Sequence, residues 1–81
     1  MRIQLLLFAL YRDLTGVSEL DVQVPDGATA GVALADLRAR DARFGRLPER
    51  PVIAINREYA LLDAPLADGD ELALLPPVAG G

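Results

Sequence analysis

The sequence contains no cysteine, no histidine, no tryptophan and no lysine, and all eight of its basic residues are arginine. Without cysteine or histidine there is no thiol nucleophile, disulfide, soft metal site, imidazole base or Ser-His-Asp triad. Most familiar catalytic machinery is thereby excluded. The arginines form no basic cluster, so the phosphate neutralisation that dominates nucleic-acid affinity has no footing. No stretch approaches the roughly 20 consecutive apolar residues of a membrane helix. The apolar start Ile3 to Leu10 is short for a cleavable signal and lacks its small-residue exit site. These absences predict a soluble, cytoplasmic protein that engages neither nucleic acid nor membrane.

What is present is apolar. Hydrophobic residues make up 52% of the chain and charged residues 25%, a balance that folds rather than stays disordered. A length of 81 residues allows one compact domain, which buries roughly 60% of the surface of its unfolded chain. Twelve acidic residues against eight arginines give a net charge of −4. That charge supports solubility and complements a basic protein surface.

Periodicity divides the chain into elements. Ile3 to Ala9 is aliphatic and free of breakers, which predicts a strand with Ile3, Leu5, Leu7 and Ala9 on one face and Gln4, Leu6 and Phe8 on the other. After a polar turn around Thr15-Gly16, the alternation from Leu20 to Val24 predicts a half-buried strand, antiparallel to the first. Pro25-Asp26-Gly27 ends it by turn chemistry, and Thr29 is placed to cap a helix running to about Arg40 with Ala30, Ala33, Leu34 and Leu37 as its apolar stripe. Arg43 to Pro51, broken by prolines and a glycine, is expected to be an irregular connection. Val52 to Ile55 suits a central strand covered on both faces, and Tyr59 to Leu62 a brief edge strand. Asp68-Gly69-Asp70 is a turn signal, Glu71 to Leu75 a final strand, and Pro76-Pro77 its stop.

The order β-β-α-β-(β)-β describes an α+β domain with a mixed sheet of four to five strands and one main helix packed on one face. This is the β-grasp, or ubiquitin-like, arrangement. It divides the chain into a domain over residues 1–75 and an extended tail over residues 76–81.

The tail reads Pro76-Pro77-Val78-Ala79-Gly80-Gly81. Adjacent prolines favour an extended path, and six residues reach at most roughly 20 Å, enough to pass down a channel into another protein. Gly80 and Gly81 lack Cβ atoms, so they fit a narrow passage and let catalytic groups approach the terminal carbonyl. The chemistry predicted is therefore on the Gly81 carboxyl. A carboxylate is a poor electrophile, so ATP must first convert it to an acyl-adenylate, from which a sulfur donor could displace AMP to leave a thiocarboxylate. The chain has no base or phosphate loop for that reaction and would be the substrate of an adenylating enzyme.

A second feature is the outward sheet face. If Leu5, Leu7, Leu72 and Leu74 face the helix, the pleat sends Leu6, Phe8, Ala73 and Leu75 to the opposite side. With Tyr59 these would form a partner-docking patch. The Asp68, Asp70 and Glu71 cluster lacks the spacing of a cation loop and is taken as a solvated turn, so no metal site is expected. Arg12 with Asp13, and Arg38 with Asp41, are expected to be surface pairs.

Phe8-Ala9-Leu10-Tyr11-Arg12-Asp13-Leu14-Thr15-Gly16 resembles the opening pattern of the molybdopterin synthase small subunits. Asp68-Gly69-Asp70-Glu71, followed by Pro76-Pro77-Val78-Ala79-Gly80-Gly81, resembles that family's closing signature, and the resemblance spans nearly the whole chain. It implies a non-catalytic, sulfur-carrying subunit of a sulfurtransferase complex. Gly81 would be adenylated by an activating enzyme related to those that charge ubiquitin, then thiocarboxylated by a sulfurtransferase. The tail, Pro76, Pro77, Val78, Ala79 and Gly80, would insert into the large synthase subunit within a heterotetramer and donate sulfur to cyclic pyranopterin monophosphate, forming the molybdopterin dithiolene. This chain would bind no cofactor, since ATP and Mg²⁺ belong to the activating partner. Two alternatives stand beside it: a sulfur carrier for thiamine thiazole synthesis or tRNA thiolation, and a β-grasp interaction module whose glycines are incidental.

Overall fold

A computed structural model describes residues 1–77. Five strands form one sheet: β1 (Arg2–Leu7), β2 (Glu19–Gln23), β3 (Val52–Ile55), β4 (Glu58–Ala60) and β5 (Glu71–Leu75). Their spatial order is β2-β1-β5-β3-β4. The central pair β1 and β5 is parallel, with Leu5 opposite Leu72 and Leu7 opposite Leu74, and the other neighbours are antiparallel. Two α-helices, α1 (Ala9–Thr15) and α2 (Ala30–Arg40), and a 3₁₀ helix over Ala42–Arg46 complete the described chain. The mixed sheet with α2 packed on one face is the β-grasp arrangement.

The core lies between sheet and helix. Leu5, Leu72 and Leu74 have no exposed surface and pack with Ile3, Leu7, Ile53 and the α2 stripe Ala30, Ala33, Leu34 and Leu37. Burying a side chain of this size contributes about 1.5–3 kcal/mol relative to leaving it in water. Thr29 caps α2 as its sequence position demands, its Oγ1 accepting from the Val32 N–H at 3.2 Å. The next two amides, Ala30 and Gly31, donate to the carbonyls of Ala64 and Leu62, so the first turn is satisfied by the chain that crosses it.

Four sequence expectations are corrected. Phe8 and Ala9 do not extend β1: the strand stops at Leu7, and Ala9–Thr15 forms a helix that places Tyr11 and Thr15 in the interior. Alanine, leucine and arginine there favour a helix, and Tyr11, Leu14 and Thr15 recur at helical spacing. Gly16, at φ 75°, closes the helix in the left-handed region, its N–H donating to the Arg12 carbonyl at 2.8 Å. The connection after α2 is not irregular throughout, because the 3₁₀ helix turns Phe44 inward to 1% exposure and Leu47 follows it into the core. Val52 is 52% exposed, so β3 is covered on one face there rather than both. The edge strand β4 ends at Ala60 instead of reaching Leu62.

The surface pairs also differ in part. Arg12 does approach Asp13, at 3.9 Å. Asp41 pairs with Arg43 rather than Arg38, at 2.6 Å, and the i,i+4 pair on α2 is Asp36 with Arg40, at 2.8 Å. Arg38 instead donates to the Leu47 carbonyl, tying α2 to the end of the 3₁₀ helix.

Candidate functional site

Strand register assembles the outward face. Leu6 lies opposite Ala73, Ala73 opposite Ala54, and Ala54 opposite Tyr59, so one cross-strand row runs through four strands on the side away from α2. The two alanines in the middle of this row are small and 6–7% exposed, while the ends carry Leu6 and Tyr59. Large groups flanking small ones leave a depression of about 370 Å³, lined by Leu6, Phe8, Ala54, Arg57, Tyr59, Glu71, Ala73 and Leu75.

Every residue expected on this face from the sequence lines that depression. Their exposures differ: Tyr59 stands at 81% and Phe8 at 45%, whereas Ala73 forms the floor. Ala54, Arg57 and Glu71 were not legible as part of it. Ala54 was hidden by the wholly apolar run Val52 to Ile55, whose outward members only the β3–β5 register identifies. Val52 and Leu61, at 52% and 76% exposure, continue the apolar surface beside Tyr59 toward Arg50.

The polar rim is fixed by the β3–β4 turn. Asn56 and Arg57 take φ values of 51° and 71°, the left-handed pair that a two-residue hairpin with the sheet's natural twist requires. The Asn56 side chain locks this turn to β5: its Nδ2 donates to Asp70 Oδ1 at 2.9 Å and its Oδ1 accepts from the Glu71 N–H at 3.0 Å. Arg57 lies 3.9 Å from Glu71 across the end of the depression. A register held this way fixes which side of the sheet Tyr59 occupies.

Strand β5 ends at the opposite end of the same face. Leu75 pairs with Val52, and the parallel register that sets Leu7 beside Leu74 brings Phe8 to the neighbourhood of Leu75. Pro76 is half-buried and Pro77 exposed. Val78, Ala79, Gly80 and Gly81, to which the sequence assigns the insertion and the chemistry, lie outside the described residues.

The polar side chains that line the depression are Arg57, Tyr59 and Glu71. Among the described residues no group of three or more acidic side chains is arranged to hold a metal ion. Asp68 and Asp70 each hold a backbone amide, accepting from the N–H groups of Arg2 at the start of β1 and of Ala67 in the turn at 2.8 Å each. The carboxyls displaced from their ordinary titration lie elsewhere: a hydrogen bond from the terminal ammonium lowers Asp26, and hydrogen bonds from the Arg43 side chain lower Asp41.

A five-stranded mixed sheet with one long helix on one face and an apolar depression on the other defines a ubiquitin-like β-grasp protein. The chain belongs to the ThiS family, whose model matches residues 5–81. The molybdopterin synthase sulfur carrier subunit of Arabidopsis thaliana is 37% identical over 81 residues, an alignment that covers 100% of this chain and 84% of that protein. Among solved structures, SAMP1 from Haloferax volcanii matches with a TM-score of 0.82 and 34% identity over 100% of both chains. A chain of the BexX/CysO complex from Amycolatopsis orientalis matches with a TM-score of 0.71 and 26% identity, covering 98% of this chain and 99% of that one.

Proposed function

We infer that this chain is the sulfur carrier for molybdopterin synthesis, with the Gly81 carboxyl as the carrying group. The observation that carries this reading is the full-length similarity to a protein named for that role, together with a family match that runs through Gly81. In the reaction proposed, the carboxylate attacks the α-phosphorus of ATP, forming an acyl-adenylate and releasing pyrophosphate. A persulfide-bearing sulfurtransferase supplies sulfur that displaces AMP, and reduction of the resulting acyl disulfide by a thiol leaves the thiocarboxylate. Transfer of that sulfur to cyclic pyranopterin monophosphate, with water restoring the carboxyl oxygen, returns the chain for another cycle.

The fold suits this division of labour. The outward face, with Leu6, Phe8, Tyr59, Ala73 and Leu75, docks on a larger protein, and Pro76 and Pro77 direct the tail away from the end of that same face. Partners of this kind are the large synthase subunit, in a heterotetramer, and an adenylating enzyme that uses ATP and Mg²⁺. The existence of a partner complex for a structural neighbour supports the docking role. The compartment proposed is the cytoplasm, where ATP is available.

Intact mass spectrometry tests the carrier chemistry. After incubation with lysate from the source cells, ATP and a sulfur source, the terminal peptide should gain the mass of one sulfur in place of one oxygen. Deletion of Gly81 should abolish that gain while leaving the fold and the docking face unchanged. A chain that gains nothing under conditions that charge a known carrier would overturn the assignment.

A further inference from the structure

An activated glycyl carboxyl acylates any amine it meets, and the nearest amines to a carrier's terminus are usually its own. Lysine is the common source, because the small fraction of its side chain that is unprotonated at neutral pH is a strong nucleophile. This chain has none. All eight cationic side chains are guanidinium groups, which stay protonated in proteins and have no free lone pair at neutral pH. With no cysteine, no histidine and no lysine, the only strong nitrogen or sulfur nucleophile in the 81 residues is the α-amine of Met1.

That amine is occupied and distant. Its ammonium donates to the Val24 carbonyl at 2.8 Å and to Asp26 Oδ1 at 2.7 Å, committing two of its three hydrogens. Acylation there needs loss of a proton and rupture of both contacts. Met1 also precedes β1, whereas the tail follows β5, and the two strands run parallel. The amine and the end of β5 therefore sit at opposite ends of the central strand pair, separated by seven residue levels in the β1–β5 register, at roughly 3.3 Å each. Six residues span at most roughly 20 Å, so that gap is at or beyond the length of residues 76–81.

From these placements we propose that the domain is built as a non-acceptor for its own activated terminus: arginine in place of lysine, and the Met1–Asp26 contact, direct acyl transfer to other molecules and prevent cyclisation. The inference rests on the carrier reading above, which makes an activated Gly81 the working species. The step excluded is attack of a free amine on the activated carbonyl, forming an amide and expelling the leaving group, with the amine proton passing to solvent.

Arg50 supplies the sharpest test. It is exposed, and it stands two residues before Val52, whose β5 partner is Leu75, just as Pro77 stands two residues after Leu75. The full chain is prepared as a C-terminal thioester by intein cleavage with a small thiol, which activates Gly81 without any partner enzyme, and is followed by intact mass and peptide mapping at neutral pH. The parent thioester should hydrolyse to the acid with no more than a trace of Met1-linked amide, and added hydroxylamine should capture it as the hydroxamate. Arg50→Lys should convert at least half of the thioester to a cyclic product lighter by one water than the acid and linked between residues 50 and 81. Asp26→Asn should raise the trace of Met1-linked amide several-fold. Parent chain that cyclises through Met1 as fast as the Arg50→Lys variant does through its lysine overturns the proposal. So does an Arg50→Lys chain that forms no lactam while hydroxylamine still captures its terminus. Because no activating enzyme takes part, failure of the carrier reading would appear only in the sulfur-gain assay.

Discussion

The Gly31 N–H donates to the Leu62 carbonyl oxygen at 2.7 Å, and a Cβ built on Gly31 would stand 3.2 Å from that same oxygen. One glycine in the first turn of α2 thus serves both as a donor to the crossing chain and as the gap through which that chain passes. By propensity alone a glycine in a helix costs about 0.5–1 kcal/mol relative to alanine. The close approach explains why this position carries it.

Gly31→Ala should therefore destabilise the domain despite the better helix former. The opposing atom is backbone, which cannot swing aside, and moving it loosens the adjacent Ala30 to Ala64 hydrogen bond as well. A net loss of about 1 kcal/mol corresponds to a fall of roughly 4–8 °C in the thermal midpoint of a domain this size. A midpoint that rises would show that residues 61–64 yield freely and that packing there is loose.

Phe44 offers a larger effect. It is 1% exposed on the 3₁₀ helix and lines the same small interior gap as Leu34, Leu37, Leu47 and Leu74. Phe44→Ala should cost about 3–5 kcal/mol, against a total of about 5–15 kcal/mol for an ordinary domain. Denaturant titration should show a lower midpoint with an unchanged slope. A loss below about 1 kcal/mol would mean that the segment after α2 is not part of the cooperative core.

These two residues also show what sequence could and could not reveal. The sheet and α2 were legible because they repeat: Leu5 and Leu7, Leu72 and Leu74, and Ala30, Ala33, Leu34 and Leu37 each recur at the period of their element. The outward side of the sheet was legible by the same pleat, since fixing the inward leucines fixes Leu6, Ala73 and Leu75, whereas Phe8 lies past the end of β1. Phe44 was not, because prolines, a glycine and arginines around it mask one buried aromatic in a single short turn. Helix α1 was lost for a related reason: Phe8 and Ala9 extend the apolar run of β1 without a polar break, and the chain turns at Ala9 through a φ of 46° that no local residue announces. Gly31, which by propensity weakens α2, owes its identity to Leu62, a contact across 31 positions.

Acid should expose the Asp41–Arg43 pair. Asp41 caps the 3₁₀ helix by accepting from the Arg43 N–H at 3.0 Å and binds the Arg43 guanidinium through both oxygens. Its carboxyl is held below the ordinary range chiefly by the side-chain hydrogen bonds from Arg43. A lowered folded value means the folded state favours the ionised form, so the contribution is complete above the ordinary carboxylate range and is lost as pH falls through the lowered value. The thermal midpoint of Asp41→Asn should thus lie below that of the parent near pH ~7, with the gap narrowing toward pH ~3. Both groups face solvent, so added salt should narrow it too. A gap independent of pH would assign the effect to capping geometry alone.

The outward face, proposed above to dock on a partner, gives the prediction closest to function. Tyr59 is 81% exposed on edge strand β4, so its loss should leave the thermal midpoint nearly unchanged, within about 0.5 kcal/mol of stability. In a partner complex the same ring would cover the alanine floor formed by Ala54 and Ala73, the position where aromatic anchors concentrate binding energy. Tyr59→Asp should then weaken binding to the proposed partner, the large synthase subunit, by more than about 30-fold, the equivalent of roughly 2 kcal/mol. Val32→Asp provides the matched control, since Val32 is 50% exposed on α2, on the other side of the sheet. Isothermal titration of both variants separates a specific face from general stickiness. Equal losses from the two substitutions would remove the outward face from the interface, and a Tyr59 variant that binds as the parent does would confine recognition to the tail.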